Sequence, residues 1–174
     1  MFGGEIPVTL DDANRIALPR RIRELLDNYS NVVITKGMDK CLWLYPTNEW
    51  EKLYNQIVRE TTPFDDEERA LTQWIIGPRQ EVDIDKHGRI LIPPKLRSYA
   101  GLNRDCILLG QHNYIEIWDE AGYQAHMEAS EEAFKAARRK MADRIKRERD
   151  LAYDSSRSGA VGTGSALPGA EGRE

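Results

Sequence analysis

Two arginines have a setting that suits them to ligand contact. Arg15 lies in Leu10-Asp11-Asp12-Ala13-Asn14-Arg15-Ile16-Ala17-Leu18-Pro19, and Arg89 in Ile84-Asp85-Lys86-His87-Gly88-Arg89-Ile90-Leu91-Ile92-Pro93. Each follows an aspartate by four positions and precedes an apolar run that ends in proline. A guanidinium is a permanently charged planar fork of N–H donors, which can grip guanine O6 and N7 or a phosphate. Asp11 and Asp85 can fix the turn by accepting backbone N–H groups, or orient the arginine through a carboxylate pair. Arg15 and Arg89 are therefore the candidate base or phosphate contacts. Lys86, His87 and the helix-start basics Arg20, Arg21 and Lys95 are candidates for further phosphate contacts. The competing structural reading makes each Asp–Arg pair a hairpin clasp that touches no ligand.

The elements around the arginines repeat with them. Internal repetition at this scale changes the whole fold reading. Ile6, Val8 and Leu10 alternate with polar residues, as in a strand with one buried face. Asp11 to Asn14 reads as a turn. Asn14 and Gly88 occupy the same place in the two copies, and what they share is tolerance of positive φ, so the position calls for a left-handed backbone. Ile16 to Leu18 resume a strand, and Pro19 opens a short helix with Ile22, Leu25 and Leu26 as its apolar stripe. Strands over 32–35 and 41–45 follow, joined around Gly37. The second copy gives strands over 81–85 and 89–92, a helix from Pro93-Pro94 carrying Leu96 and Tyr99 and ended by Gly101, and a closing hairpin of 106–109 and 114–118 turning near Gly110. Register holds at one offset until that last turn, where the first copy is one residue longer.

Two helices separate the copies. Trp50, Leu53, Tyr54, Ile57 and Val58 form one stripe, with Thr47 or Asn48 as the cap. Ala70, Leu71, Trp74 and Ile75 form the other, after an acidic start at Asp65-Asp66-Glu67-Glu68 that suits a helix N-terminus. Gly77-Pro78 stops it. The resulting division is a first unit over 5–50, a helical connector over 51–77, a second unit over 79–122, a charged helix over 123–151, and a Gly/Ser/Ala-rich tail over 154–174 expected to be disordered. A unit of about 45 residues cannot bury enough apolar area alone. The copies should therefore share one core with strands of one completing the other, which places the two arginine turns near each other about a pseudo-two-fold axis.

Composition bounds the function. The 174 residues are 40% hydrophobic and 31% charged, and the net charge of −4 counts against nucleic-acid binding. That sum hides an uneven distribution. Arg15, Arg20, Arg21 and Arg23 cluster in one copy and Lys86, Arg89, Lys95 and Arg97 in the other, while acids concentrate at 65–68 and around 128–132. No apolar run reaches the roughly 20 residues that cross a bilayer, and the start of the chain lacks the pattern of a signal peptide. Cys41 and Cys106 belong to no CxxC and read as buried, reduced thiols. The three histidines and two cysteines lack zinc-ligand spacing, so no metal is expected. No cofactor is expected either. Gly162-Thr163-Gly164 lacks the strand and helix of a dinucleotide loop, and no catalytic motif appears.

Strand, D-x-x-x-R turn, an apolar-x-apolar-Pro segment and a short helix together resemble the SpoVT-AbrB superfamily of bacterial DNA-binding swapped-hairpin barrels. Two such units, with Met1-Phe2, Leu44-Tyr45-Pro46, Glu49-Trp50-Glu51, Gly110-Gln111-His112-Asn113 and Glu116-Ile117-Trp118-Asp119, look like the MraZ family over roughly residues 1–125. The resemblance implies an α+β fold in which two swapped-hairpin units share a pseudo-two-fold β-barrel core. It implies a non-enzymatic transcriptional regulator that binds direct repeats upstream of its own division and cell-wall gene cluster. It also implies a ring-shaped homo-oligomer, a cytoplasmic, nucleoid-associated location and a methyltransferase from the same cluster as partner. One departure is visible: the family's first turn commonly reads D-x-K-G-R, and here Ala13 stands at the Lys and Asn14 at the Gly. A basic contact is thus missing from the first turn, while the second keeps Lys86. The rival readings are an antitoxin whose helix 123–151 binds a toxin, and a small enzyme using the carboxylates near Glu128 to Glu132. The doubled unit argues against the first, and the lack of any pocket signal against the second.

Overall fold

The structure is a computed structural model that describes residues 1–26 and 29–158. The chain forms two units, Met1–Met127 and the stretch from Glu128 onward. In the first unit β1 (Phe2–Thr9), β2 (Arg15–Ala17), α1 (Arg20–Leu25), β3 (Asn31–Lys36) and β4 (Leu42–Pro46) make up the first copy. Helices α2 (Thr47–Glu60) and α3 (Asp66–Ile75) follow, and β5 (Gln80–Asp83), β6 (Arg89–Leu91), α4 (Pro94–Ala100), β7 (Asp105–His112) and β8 (Tyr114–Asp119) make up the second copy. Helix α5 (Glu120–Ser158) begins in the first unit and supplies what is described of the second. The fold is mixed α+β with antiparallel pairing throughout the sheet.

The strands of the two copies interleave. The six-stranded sheet runs β1-β7-β8-β4-β3-β5, and β2 pairs with β6 in a separate two-stranded ribbon. Thus β1 of the first copy lies against β7 of the second, and β5 of the second against β3 of the first. The register is symmetric. The ribbon is centred on Ile16 opposite Ile90, which are equivalent in the repeat, and the β4–β8 pair is centred on Trp43 opposite Glu116, which are equivalent too. Leu18 N–H donates to Gly88 O at 2.9 Å and Ile92 N–H to Asn14 O at 2.8 Å, the same bond made twice. One buried cluster joins Ile16, Leu18 and Ile34 to Ile90, Ile92, Leu108 and Ile117. Neither copy could enclose these side chains alone, and burial of this shared core is the driving force for the exchange.

Some local expectations need correction. Gly110 is not in the closing turn but inside β7, opposite Ile115 on one side and Gly4 on the other, and the chain reverses at Asn113. The physical reason is close approach: a Cβ at Gly110 would lie 2.4 Å from the Gly3 nitrogen. Helix α2 starts at Thr47 behind Pro46 with no side-chain cap. The Thr47 hydroxyl donates instead to Asn31 Oδ1 at 3.1 Å, and Asn48 accepts from its neighbour Glu49. The apolar stripes of α2 and α3 are narrower than their spacing suggests. Trp50, Ile57 and Ile75 are buried, whereas Tyr54, Val58, Leu71 and Trp74 are exposed. Helix α3 does begin with Asp65 as its cap, accepting from Glu68 N–H at 2.9 Å. Its C-terminal end is met by buried Thr35, whose hydroxyl donates to Ile75 O and so satisfies a carbonyl with no partner in its own helix.

Cys41 and Cys106 are buried and free. Burial holds both thiols protonated, with Cys106 pushed up to about 11 and Cys41 further still. In the second unit α5 is exposed and charged, with Lys135 bonded to Glu131 and Glu132 at 2.9 Å. The helix starts earlier and ends later than the expected 123–151, since it spans Glu120–Ser158. The expected disordered tail therefore begins inside a helix, and its residues 159–174 lie outside the described residues. No described helix is long and apolar enough to cross a membrane.

Candidate nucleic-acid interface

Each turn is built by its aspartate. Asp11 Oδ1 accepts from Ala13 N–H at 2.9 Å and Arg15 N–H at 2.8 Å, while Oδ2 accepts from Arg15 Nε at 3.0 Å. Asp85 repeats this, with His87 N–H at 2.8 Å, Arg89 N–H at 2.9 Å and Arg89 Nε at 2.8 Å. Both turns close with a left-handed residue, Asn14 at φ 60° and Gly88 at φ 72°. The Arg89 backbone N–H, followed by its guanidinium, holds the Asp85 carboxyl down at about 2, and the same groups of Arg15 lower Asp11. Both carboxylates therefore stay ionised across the physiological range, and each clasp keeps its arginine at one angle.

The ribbon sets where the arginines point. Side chains alternate along a strand and directly opposite residues share a face. Ile16 and Ile90 point into the core with no exposure at all. Arg15, opposite Leu91, and Arg89, opposite Ala17, must then lie on the outward face. Ala17 is exposed and Leu91 is 52% exposed, as that face requires. The two arginines occupy opposite corners of it, a diagonal relation that spans about 7–8 Å between strands. Their side chains are 36% and 29% exposed. Each clasp uses only part of the five-donor guanidinium, and the rest faces away from the core.

The other candidates divide into two groups. Lys86 and His87 are exposed at turn 2, beside Arg89. Arg21 borders a hollow with Phe2, Gly3 and Gly4, at the far end of β1 from turn 1. Lys95, its counterpart in the repeat, borders a cleft with Gly77, Arg79 and Gln80, at the far end of β5 from turn 2. Arg20 is exposed and ion-paired to Glu24 at 2.7 Å. The turns are thus gathered onto one ribbon, while Arg21 and Lys95 stand at the other ends of the strands that lead into those turns.

Three residues at the turns were not among the expected contacts. Arg97 of α4 donates through Nη1 to Asn14 Oδ1 in turn 1, and through Nε to Leu102 O at 3.1 Å. Arg23 of α1 covers turn 2, where a Cβ at Gly88 would lie 2.2 Å from its Cδ. Arg104 borders the depression beside turn 1. Arg23 and Arg97 belong to the two basic clusters of the sequence, but nothing local shows that each serves the turn of the other copy. Among the described residues no group of three or more His, Cys, Asp or Glu could hold a metal ion.

Comparison with known proteins accords with the doubled architecture. A family model described as "MraZ protein, putative antitoxin-like" matches residues 1–73 and again residues 75–145, so that each span carries one Asp–Arg turn. A protein of Treponema denticola named Transcriptional regulator MraZ is 40% identical over 134 residues, which covers 77% of this chain and 92% of its own length. The protein of the same name from Treponema pallidum strain Nichols is 37% identical over 142 residues, covering 82% and 95%. That from Shewanella pealeana is 41% identical over 135 residues, covering 75% and 87%. With both copies matched and relatives aligned across nearly their full length, the chain belongs to the MraZ family of transcriptional regulators.

Proposed function

We propose that the chain binds double-stranded DNA sequence-specifically through the outward face of the β2–β6 ribbon and the two turns that flank it. The observation that carries this reading is the placement of Arg15 and Arg89 at opposite corners of one solvent-facing surface, each aimed by its own carboxylate. Pre-aimed guanidinium forks lose less freedom on binding than mobile side chains. Lys86 and His87 add phosphate contacts at turn 2, with Arg20, Arg21 and Lys95 as more distant ones. The interleaved strands support two swapped-hairpin units of the SpoVT-AbrB type around a common barrel core, bounded at 5–50 and 79–122 with a helical connector over 51–77. The protein acts without enzymatic chemistry.

In this reading the targets are direct repeats upstream of the chain's own division and cell-wall gene cluster, read by a ring-shaped homo-oligomer. Palindromes mirror two-fold dimers, whereas a head-to-tail ring turns the same face toward successive DNA segments and so favours repeats in one direction. Few contacts per subunit are offset by several subunits engaging together. The protein then resides in the cytoplasm on the nucleoid, with the methyltransferase of the same cluster as a functional partner.

The test is a footprint over the promoter of its own gene, with a salt titration of binding. Arg15→Ala should abolish protection while leaving the circular dichroism spectrum unchanged, and affinity should fall steeply with salt. Binding that ignores salt would remove the electrostatic basis. The description of the family as antitoxin-like favours a second reading in which α5 grips a toxin. Pull-down from cells separates the two, because a ribonuclease-like companion would support the antitoxin.

A further inference from the structure

We infer that turn 1 is completed in trans: Arg97 and Arg104, both carried by the second copy, are the cations that meet a DNA phosphate beside turn 1, and Asn14 is the residue that positions Arg97. This rests on the DNA-facing reading of the ribbon and deepens it. Turn 1 is the poorer of the two in charge of its own. Where turn 2 has Lys86 and His87, turn 1 has Asp12 and Ala13. Arg15 alone, already clasped by Asp11, would leave that corner of the ribbon weakly attractive to a polyanion.

Arg97, Asn103 and Arg104 face Asp12 and Asn14 across an open depression of about 430 Å³ at the foot of turn 1. Leu10 N–H donates to Arg104 O at 2.8 Å, which anchors the backbone that carries Arg104 directly to the entry of the turn. Arg97 is held at two points, by Asn14 Oδ1 and Leu102 O. Its guanidinium still has donors beyond those two bonds. Two cations around one concavity make a site of phosphate chemistry, while the Asn103 amide is already engaged and donates to Asp119 Oδ1 at 3.1 Å and Gly101 O at 3.2 Å. Of the two aspartates that line the depression, Asp12 is the opposing charge, since Asp11 is matched by Arg15.

The counterpart contact in turn 2 differs in kind. Gly88 has no side chain to hold Arg23, which is exposed, and the residues equivalent to Asn103 and Arg104 are Tyr29 and Ser30. Turn 2 therefore has cations of its own loop beside the lent Arg23, whereas turn 1 has only Arg15 of its own and depends on the cations lent by the other copy. The side chain of Asn14 does two jobs that glycine could not combine: it tolerates positive φ and it accepts from Arg97.

The test is fluorescence anisotropy of the full-length protein with its own promoter duplex and a scrambled duplex, from about 50 to 200 mM salt. Arg104→Ala changes an exposed side chain and should fold normally by circular dichroism. It should weaken binding to both duplexes about tenfold and reduce the salt slope by about one. Asn14→Gly keeps the left-handed turn but frees Arg97, and should weaken binding with little change of slope. Asp12→Asn should act in the opposite direction and tighten binding. If Arg104→Ala and Asp12→Asn both match the parent in affinity and slope while Arg15→Ala abolishes binding, the trans site is wrong and the DNA-facing ribbon stands. If Arg15→Ala also binds like the parent, the ribbon reading falls and takes this inference with it.

Discussion

In the first half of the repeat β1 lies along β7 for eight residues, Phe2–Thr9, while in the second half β5 lies along β3 for only four, Gln80–Asp83. The longer strand brings its backbone down on Gly110, where no side chain fits. Lys36 holds the equivalent place in the other half, beyond the end of β5, and there a long side chain lies over the Trp74 and Tyr99 rings at 4.5 and 4.9 Å. The turns show the opposite behaviour. Their backbone hydrogen bonds and those of their aspartates match one for one, and only the other side chains around them differ. Backbone bonds in a tight turn leave no latitude, because each donor has one acceptor within reach. Strand length and side-chain decoration do have latitude, and it is there that the halves diverge.

The largest expected effects come from the shared centre. Ile16→Ala or Ile90→Ala should each cost about 2–5 kcal/mol in urea unfolding. Similar costs would sharpen the equivalence of the halves. A gap of several kcal/mol would break it. Combining the two should be non-additive, because the residues touch.

The edge strands come next. Gly110→Val should cost about 1–3 kcal/mol by forcing β1 off β7. Lys36→Ala, at the matching place, should lose only about 0.5–1 kcal/mol of cation–π attraction. Hydrogen exchange at Gly3 and Gly4 would locate the damage in the first case. If Gly110→Val melts like the parent, the close approach is not a constraint.

Exchanging the left-handed residues is expected to matter less. Asn14→Gly should change stability by under about 1 kcal/mol. Gly88→Asn keeps a residue that accepts positive φ but drives its Cβ into the Arg23 stem, so Arg23 must move. A thermal melt of both variants ranks them, and Gly88→Asn should be the less stable.

The smallest difference is in proton binding. Asp85 titrates at about 2 in the folded chain, below the ordinary carboxylate range near 4. A depressed folded value adds stability that is fully present above the unfolded value and is lost as pH falls through about 2. Asp11 is lowered as well, by the same contacts. Carboxyl shifts followed by NMR between about pH 5 and 1.5 should show both signals moving late, and Asp85→Asn should remove its share of the acid sensitivity.

Much of the fold was legible in the residues themselves. Asn14 and Gly88 announced a left-handed position by sharing one property, and both have positive φ. Pro19 and Pro93 marked the helices that follow the turns, and Gly101 ends α4 at φ 61°. The turn at Asn113 was misplaced to Gly110 because glycine usually signals a turn, and the reason for this one lies on another strand. The stripes of α2 and α3 looked wider than they are, because periodicity reports which residues share a face and not whether anything covers it. Arg97 and Arg104 were missed at turn 1 for a related cause. Their neighbours there come from the other copy.

The sequence by itself determined the duplication, the chemistry of each turn, the start of the helices that follow them and the family. These depend on residues within a few positions of one another, whose φ, ψ and hydrogen bonds are settled locally. Only the tertiary structure decided that β1 joins β7, that Ile16 meets Ile90, that both arginines share one face and that Arg97 reaches Asn14. Those contacts follow from which strands pair. Pairing is chosen by the burial of a core that neither half can close alone, so it is a property of the whole unit and of no segment within it.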